Sequence, residues 1–116
     1  MRRDVRAFLW DIQAAADAIA RFVAGIDRRT YAETELVHAA VERKFEIIGE
    51  ALGQSAKLDP ALEARVPDFR EIIAFRNVLI HGYAVIEHDR VWAIAAESLP
   101  RLRAAVSGLL DELRSD

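Results

Sequence analysis

The chain contains no cysteine. This excludes a disulfide framework and a thiolate metal centre, and it fits a reducing compartment, so a cytoplasmic location is expected. No apolar run approaches the roughly 18 residues that mark a membrane span, so no membrane association is expected either. The N-terminal stretch MRRDVRAFLWDIQ carries an acid where a signal peptide would be apolar, which suggests an unprocessed, soluble chain. Lysine is scarce: only Lys44 and Lys57 among 16 basic residues. The arginines that make up the rest suit bidentate contact with carboxylate or phosphate. The formal net charge is −3 and the pI about 5.6. An acidic balance disfavours non-specific coating of DNA but leaves room for a local cationic pocket. Strand signals are also lacking, since no alternating Val/Ile/Thr run is bounded by turns. Repeats and low-complexity segments are absent.

What is present is helical spacing. At 116 residues the length predicts one domain, residues 1–116, able to bury roughly two-thirds of its unfolded surface. A first helix is expected over about Asp4–Ala24, with Phe8, Ile12, Ala15, Ile19, Phe22 and Val23 on one face and Gly25 as the stop. TYAE predicts a capping box, with Thr30 as N-cap and Glu33 three residues on. The stripe Leu36, Val37, Ala40, Val41, Phe45, Ile48, Leu52 carries that helix to about Gly53. Asp59 and Pro60 open a short helix. Pro67 opens a third long helix, with Asp68 and Glu71 in its first turn and Phe69, Ile72, Ile73, Val78 and Ile80 as candidate core. Gly82 ends it. Asp89 caps a last helix to about Leu113, which Pro100 should kink or divide. The expected fold is therefore all-α: an antiparallel bundle of four principal helices plus a short one.

Two polar groupings stand out. His38, Glu42, Glu46 and Glu50 are four residues apart and form one slowly drifting row. Glu35 and His38 make one Glu-x-x-His. Di-iron bundles need two such motifs and no second one exists, so no metal ligand and no cofactor is assigned, and the row is read as a polar stripe. Arg43 and Lys44 beside it can pair with its acids at modest gain.

The second grouping is RNVLIHGY, residues 76–83. At about 100° per residue, Arg76 and His81 lie roughly 140° apart on an ideal helix, whereas Asn77 and His81 share a face. An Arg–His site therefore needs a helix that ends near His81, or a second copy of the chain. Gly82 suits the first route, because glycine readily takes the left-handed conformation past a helix end. An imidazole at a helix C-terminus is held toward its protonated form by the dipole, which suits a general acid near neutral pH. The Arg76 fork matches phosphate, Asn77 can orient the imidazole or a ribose hydroxyl, and the Tyr83 phenol can hydrogen-bond or be modified. These are parts for metal-independent cleavage of an RNA phosphodiester. A structural reading also exists, since cations suit helix C-termini and glycine commonly follows them.

RNVLIHGY also resembles the Arg-x4-His-x-Tyr motif of the HepT-like toxins in the HEPN superfamily. VERKFEIIGEAL is similar to that family's second-helix signature. VPDFREIIAFRNVLIHGY, VWAI and LPRL follow in the same order, so the likeness covers about residues 3 to 110. One departure is Phe69 followed by Arg70, where many relatives carry a tryptophan shortly after Pro-Asp. The resemblance implies a dimeric all-α bundle with motif residues from both subunits lining a shared cleft. It implies an RNA endonuclease that acts as the toxin of a toxin–antitoxin pair, with Arg76 and His81 catalytic, Asn77 matching the polar position after the arginine, and no metal or other cofactor. It also implies an MntA-like minimal nucleotidyltransferase antitoxin that places AMP on Tyr83. The alternative reading is a non-catalytic dimeric partner, or nucleotide-binding subunit, of a minimal nucleotidyltransferase.

Overall fold

Six α-helices and one 3-10 turn organise the chain in a computed structural model that describes residues 4–114. They are α1 (Val5–Val23), α2 (Arg28–Glu33), α3 (Glu35–Leu58), α4 (Leu62–Arg65), α5 (Phe69–His81) and α6 (His88–Arg114), with the 3-10 turn at Tyr83–Val85 between the last two. The fold is an all-α bundle, as expected. Helix α6, at 27 residues, is about 40 Å long at 1.5 Å per residue. It sets the 45 Å long dimension of the molecule. Helix α1 packs along α3 and α6, and α5 packs against the other side of α3. Among the described residues, no helix is long and apolar enough to cross a membrane.

Local chemistry explains most helix ends. Asp4 caps α1, its carboxylate accepting from the Arg6 N–H at 2.7 Å and thereby satisfying one orphan donor of the first turn. Gly25 lies past the end of α1 at φ 77°, where glycine alone escapes the Cβ penalty. The expected capping box is not formed. Asp27 caps the short α2 instead, accepting from the Thr30 N–H at 2.8 Å. Thr34 then separates α2 from α3, with its hydroxyl donating to the Thr30 carbonyl at 2.7 Å. Asp27 reaches further back than Thr30 could, so the turn closes three residues earlier and a second short helix results. Helix α3 also runs through Gly53 to Leu58, because burial of Leu52 and Ser55 outweighs one glycine. The Ser55 hydroxyl is satisfied by the Ala51 carbonyl at 2.7 Å.

Pro100 does not divide α6, which continues through it. It sits on an exposed position, flanked by the buried Leu99 and Leu102, so packing on both sides holds the helical path across the missing N–H. Helix α5 begins at Asp68, whose φ of 59° is left-handed. The Asp68 carboxylate meets Arg101 of α6 at 2.6 Å.

The core contains Leu9, Ile12, Ile19, Val41, Phe45, Ile48, Leu52, Ile72, Phe75 and Leu79, with Val91, Leu102 and Val106 from α6. Phe45 and Phe75 meet edge to face at 5.4 Å, a contact worth about 0.5–1.5 kcal/mol beyond area burial. Val78 and Ile80 are only partly buried, so α5 presents Phe75 and Leu79 to α3. Leu36 is 83% exposed, against its expected core position, whereas the adjacent Val37 packs on the core.

Candidate active site

The crossing of α3 and α5 positions the motif arginine. Gly49 is the point of contact: a Cβ there would lie 2.3 Å from the Arg76 Cβ and 2.7 Å from its Cγ. Only a residue without a side chain lets the Arg76 stem pass so close to the α3 backbone. The guanidinium is then fixed on two sides. Its Nη2 is 3.0 Å from Glu50 Oε2, and its Nη1 donates to Asn77 Oδ1 at 3.1 Å. Its Nε is buried and has no hydrogen-bond partner. A cavity of about 200 Å³ opens beside it, between α1, α3 and α5, lined by Arg76, Glu50, Glu46, Arg43, Asp11 and Phe8 among others.

Two guanidiniums and three carboxylates line this cavity, so one chain alone does not offer a cationic pocket. The Glu50 side chain is 54% exposed, however, and an ion pair that open to solvent contributes about 0–1 kcal/mol. A bidentate phosphate can therefore compete for the Arg76 fork.

His81 is the last residue of α5 and is exposed. It does not line the Arg76 cavity. The chain thus brings Arg76, Asn77 and Glu50 together and leaves His81 outside the cluster, as the 140° separation requires. Asn77, on the exposed face of α5, has its amide oxygen engaged by Arg76 rather than by the imidazole. Gly82 ends α5 without the left-handed turn expected of it. Its φ is −110°, and its N–H donates to the Val78 carbonyl at 2.7 Å. A Cβ there would sit 3.0 Å from that same carbonyl oxygen, so crowding, not positive φ, favours glycine. The backbone of Tyr83 begins the 3-10 turn. Its side chain lies outside the described residues.

Sequence reasoning missed Gly49 and Glu50 as the arginine's seat and counter-ion. The available signal was the adjacent Gly-Glu pair within IIGEAL of α3. The polar row on α3 also separates. A step of four residues drifts by about 40°, so Glu50 faces α5 whereas His38 and Glu42 turn toward α6. Glu46 lies between them and pairs with Arg43 at 3.8 Å.

Comparison with known proteins places the chain in a family. The pattern of the family described as Ribonuclease HepT-like matches residues 12–109. The chain is 34% identical over 107 residues to "Putative RNase MJ1380" of Methanocaldococcus jannaschii, covering 90% of this chain and 95% of that one. It is 30% identical over 114 residues to "Probable ribonuclease HepT" of Thermococcus cleftensis, covering 98% and 99%. No solved structure matches it. Nearly the whole bundle, including both helices that seat Arg76, lies within the matched span, and the chain belongs to the HepT-like ribonuclease family of the HEPN superfamily.

Proposed function

We propose that this protein is a metal-independent RNA endonuclease that acts as the toxin of a toxin–antitoxin pair. The observation that carries the reading is Arg76, held at the mouth of a cavity by Gly49 and Glu50 within an Arg-x4-His-x-Tyr motif. Arg76 binds the scissile phosphate and stabilises the charge of the phosphorane. One His81 imidazole takes the proton of the ribose 2′-OH as that oxygen attacks phosphorus. A second imidazole, from the other copy of the chain, protonates the departing 5′-oxygen. The P–O5′ bond breaks as the P–O2′ bond forms, leaving a cyclic phosphate and a 5′-hydroxyl. Asn77 orients the Arg76 fork. A homodimer is required because one chain keeps His81 away from Arg76.

Regulation follows from Tyr83, two residues past His81. AMP placed there by an MntA-like nucleotidyltransferase antitoxin adds bulk and an anionic phosphate where the RNA phosphate must bind, and like charges repel. Purified protein without its antitoxin should cleave RNA in the presence of EDTA, and His81→Ala should abolish cleavage and toxicity. Retained cleavage in that variant overturns the assignment. Intact-mass analysis after incubation with the nucleotidyltransferase and ATP should place one adduct on Tyr83, and an adduct on Tyr31 would overturn it.

A second reading draws on the Glu50–Arg76 pair, which neutralises the arginine within its own chain. In that reading the bundle is a non-catalytic dimeric partner or nucleotide-binding subunit of the nucleotidyltransferase. Arg76→Lys separates the two. Cleavage that uses the planar fork falls sharply, whereas a mainly electrostatic contact weakens only modestly.

A further inference from the structure

Away from Arg76, the start of α6 meets the first turns of α3 at a cluster of two imidazoles and a carboxylate. His38 and Glu42 are one turn apart on α3, and His88 is the first residue of α6. Glu42 Oε2 lies 3.5 Å from His38 Nδ1 and 3.9 Å from His88 Nδ1. One ligand atom from each of the three residues falls within 4.8 Å of the others. Both Nδ1 atoms are buried and without a hydrogen-bond partner. The Glu42 and His38 side chains are only 17% and 18% exposed. Tyr31 packs edge-on against both imidazoles, at 6.2 and 6.3 Å, and its buried hydroxyl is likewise unpartnered. Buried polar atoms rarely go unsatisfied, yet several do so here within one site.

The imidazole rings lie 3.9 Å apart, beside the mostly buried Glu42 carboxylate. A divalent cation would satisfy all three groups at once, since it takes a lone pair from each imidazole and neutralises the carboxylate. Around a tetrahedral ion with bonds of about 2.0–2.2 Å, ligand atoms sit roughly 3.3–3.6 Å apart. The two separations to Glu42 are close to that range. His88, 33% exposed and at a helix start, has the longer of the two separations.

We propose that His38, Glu42 and His88 form a binding site for a first-row divalent metal of the zinc class. Two imidazole nitrogens and one carboxylate oxygen suit such an ion, whereas Mg²⁺ and Ca²⁺ require mostly oxygen ligands. The site clamps the beginning of α6 onto α3 and fixes the downstream end of the connector from Gly82 to Glu87, which carries the motif tyrosine. It is independent of the ribonuclease reading, because Arg76 and His81 take no part in it.

The test uses tag-free protein stripped with EDTA, titrated with Zn²⁺ by calorimetry and with Co²⁺ by visible absorption. The chain has three histidines, which makes the variants decisive. Wild type and His81→Gln should bind one ion per chain and melt at higher temperature with Zn²⁺, since an ion that binds only the folded state stabilises it by mass action. His88→Gln, at a partly exposed helix start, should fold and lose more than about tenfold in affinity, as should Glu42→Gln. No saturable binding to wild type, binding unchanged in His88→Gln, or equal saturation by Mg²⁺ would overturn the proposal.

Discussion

Replacing Gly49 with alanine tests the seat of Arg76 most directly. The new methyl would lie 2.3 Å from the Arg76 Cβ and 2.7 Å from its Cγ, far inside contact distance. Arg76 Cβ is bonded to the α5 backbone, so side-chain rotation cannot relieve the clash, and α5 must move off α3. Overpacking of this kind costs typically about 1–3 kcal/mol. Opposing it, alanine is favoured over glycine in a helix interior by about 1 kcal/mol. Gly53, one turn further along α3, provides the control: a Cβ there meets nothing within 4 Å. Gly53→Ala should therefore gain the propensity term alone. Because that term is common to both variants, their difference isolates the steric cost, expected at about 1–3 kcal/mol. With roughly 4 °C per kcal/mol for a domain of this size, the two melting temperatures should differ by about 4–12 °C. Urea titrations at equal protein concentration read the same gap in free energy. RNA cleavage should fall in Gly49→Ala, since the guanidinium shifts with its stem, and persist in Gly53→Ala. Equal stability of the two variants would refute the close approach, and full cleavage by Gly49→Ala would refute the need for it.

Other outcomes follow from single side chains. His81→Ala should change stability by no more than about 0.5 kcal/mol, since the residue is exposed and surface changes are small; a larger loss in urea denaturation would mean a structural role. Tyr31→Phe should be neutral or stabilising by about 1 kcal/mol in metal-free protein, because the hydroxyl is buried without a partner. Burial, followed by the nearby Glu42 carboxylate, raises the Tyr31 pKa far above its ordinary value of 10. The folded chain therefore keeps a proton that the unfolded chain releases, and wild-type stability should fall above about pH 10 by up to about 1.4 kcal/mol per pH unit. Tyr31→Phe should flatten that alkaline limb in pH-dependent denaturation, and an unchanged limb would refute the assignment. Pro100→Ala should stabilise by about 1–3 kcal/mol, restoring an N–H to a helix that is already continuous. A lower melting temperature would show that the proline serves the path of α6.

Periodicity alone reached the helical class, the four long helices and much of the inner face, including Ile12, Ile19, Val41, Phe45, Ile48 and Leu52. These follow from local rules, because one amphipathic stripe needs only its own 3.6-residue repeat. The separation of Arg76 and His81 was equally legible, since it is a property of one helix. Boundaries set by competition between neighbours were not. Whether Asp27 or Thr30 caps depends on which carboxylate or hydroxyl reaches which N–H, and Pro100 stays helical only because Leu99 and Leu102 are buried beneath it. The partners across helices were out of reach for the same reason. Glu50 meets Arg76, and Glu42 meets His88, only once α5 and the start of α6 have both packed beside α3. The sequence determined the Arg, Asn, His and Tyr of the motif and their order through the end of one helix and just past it. The tertiary structure decided that a glycine on another helix seats the arginine, and that residues 38, 42 and 88 converge, because contacts between distant segments depend on how the helices pack.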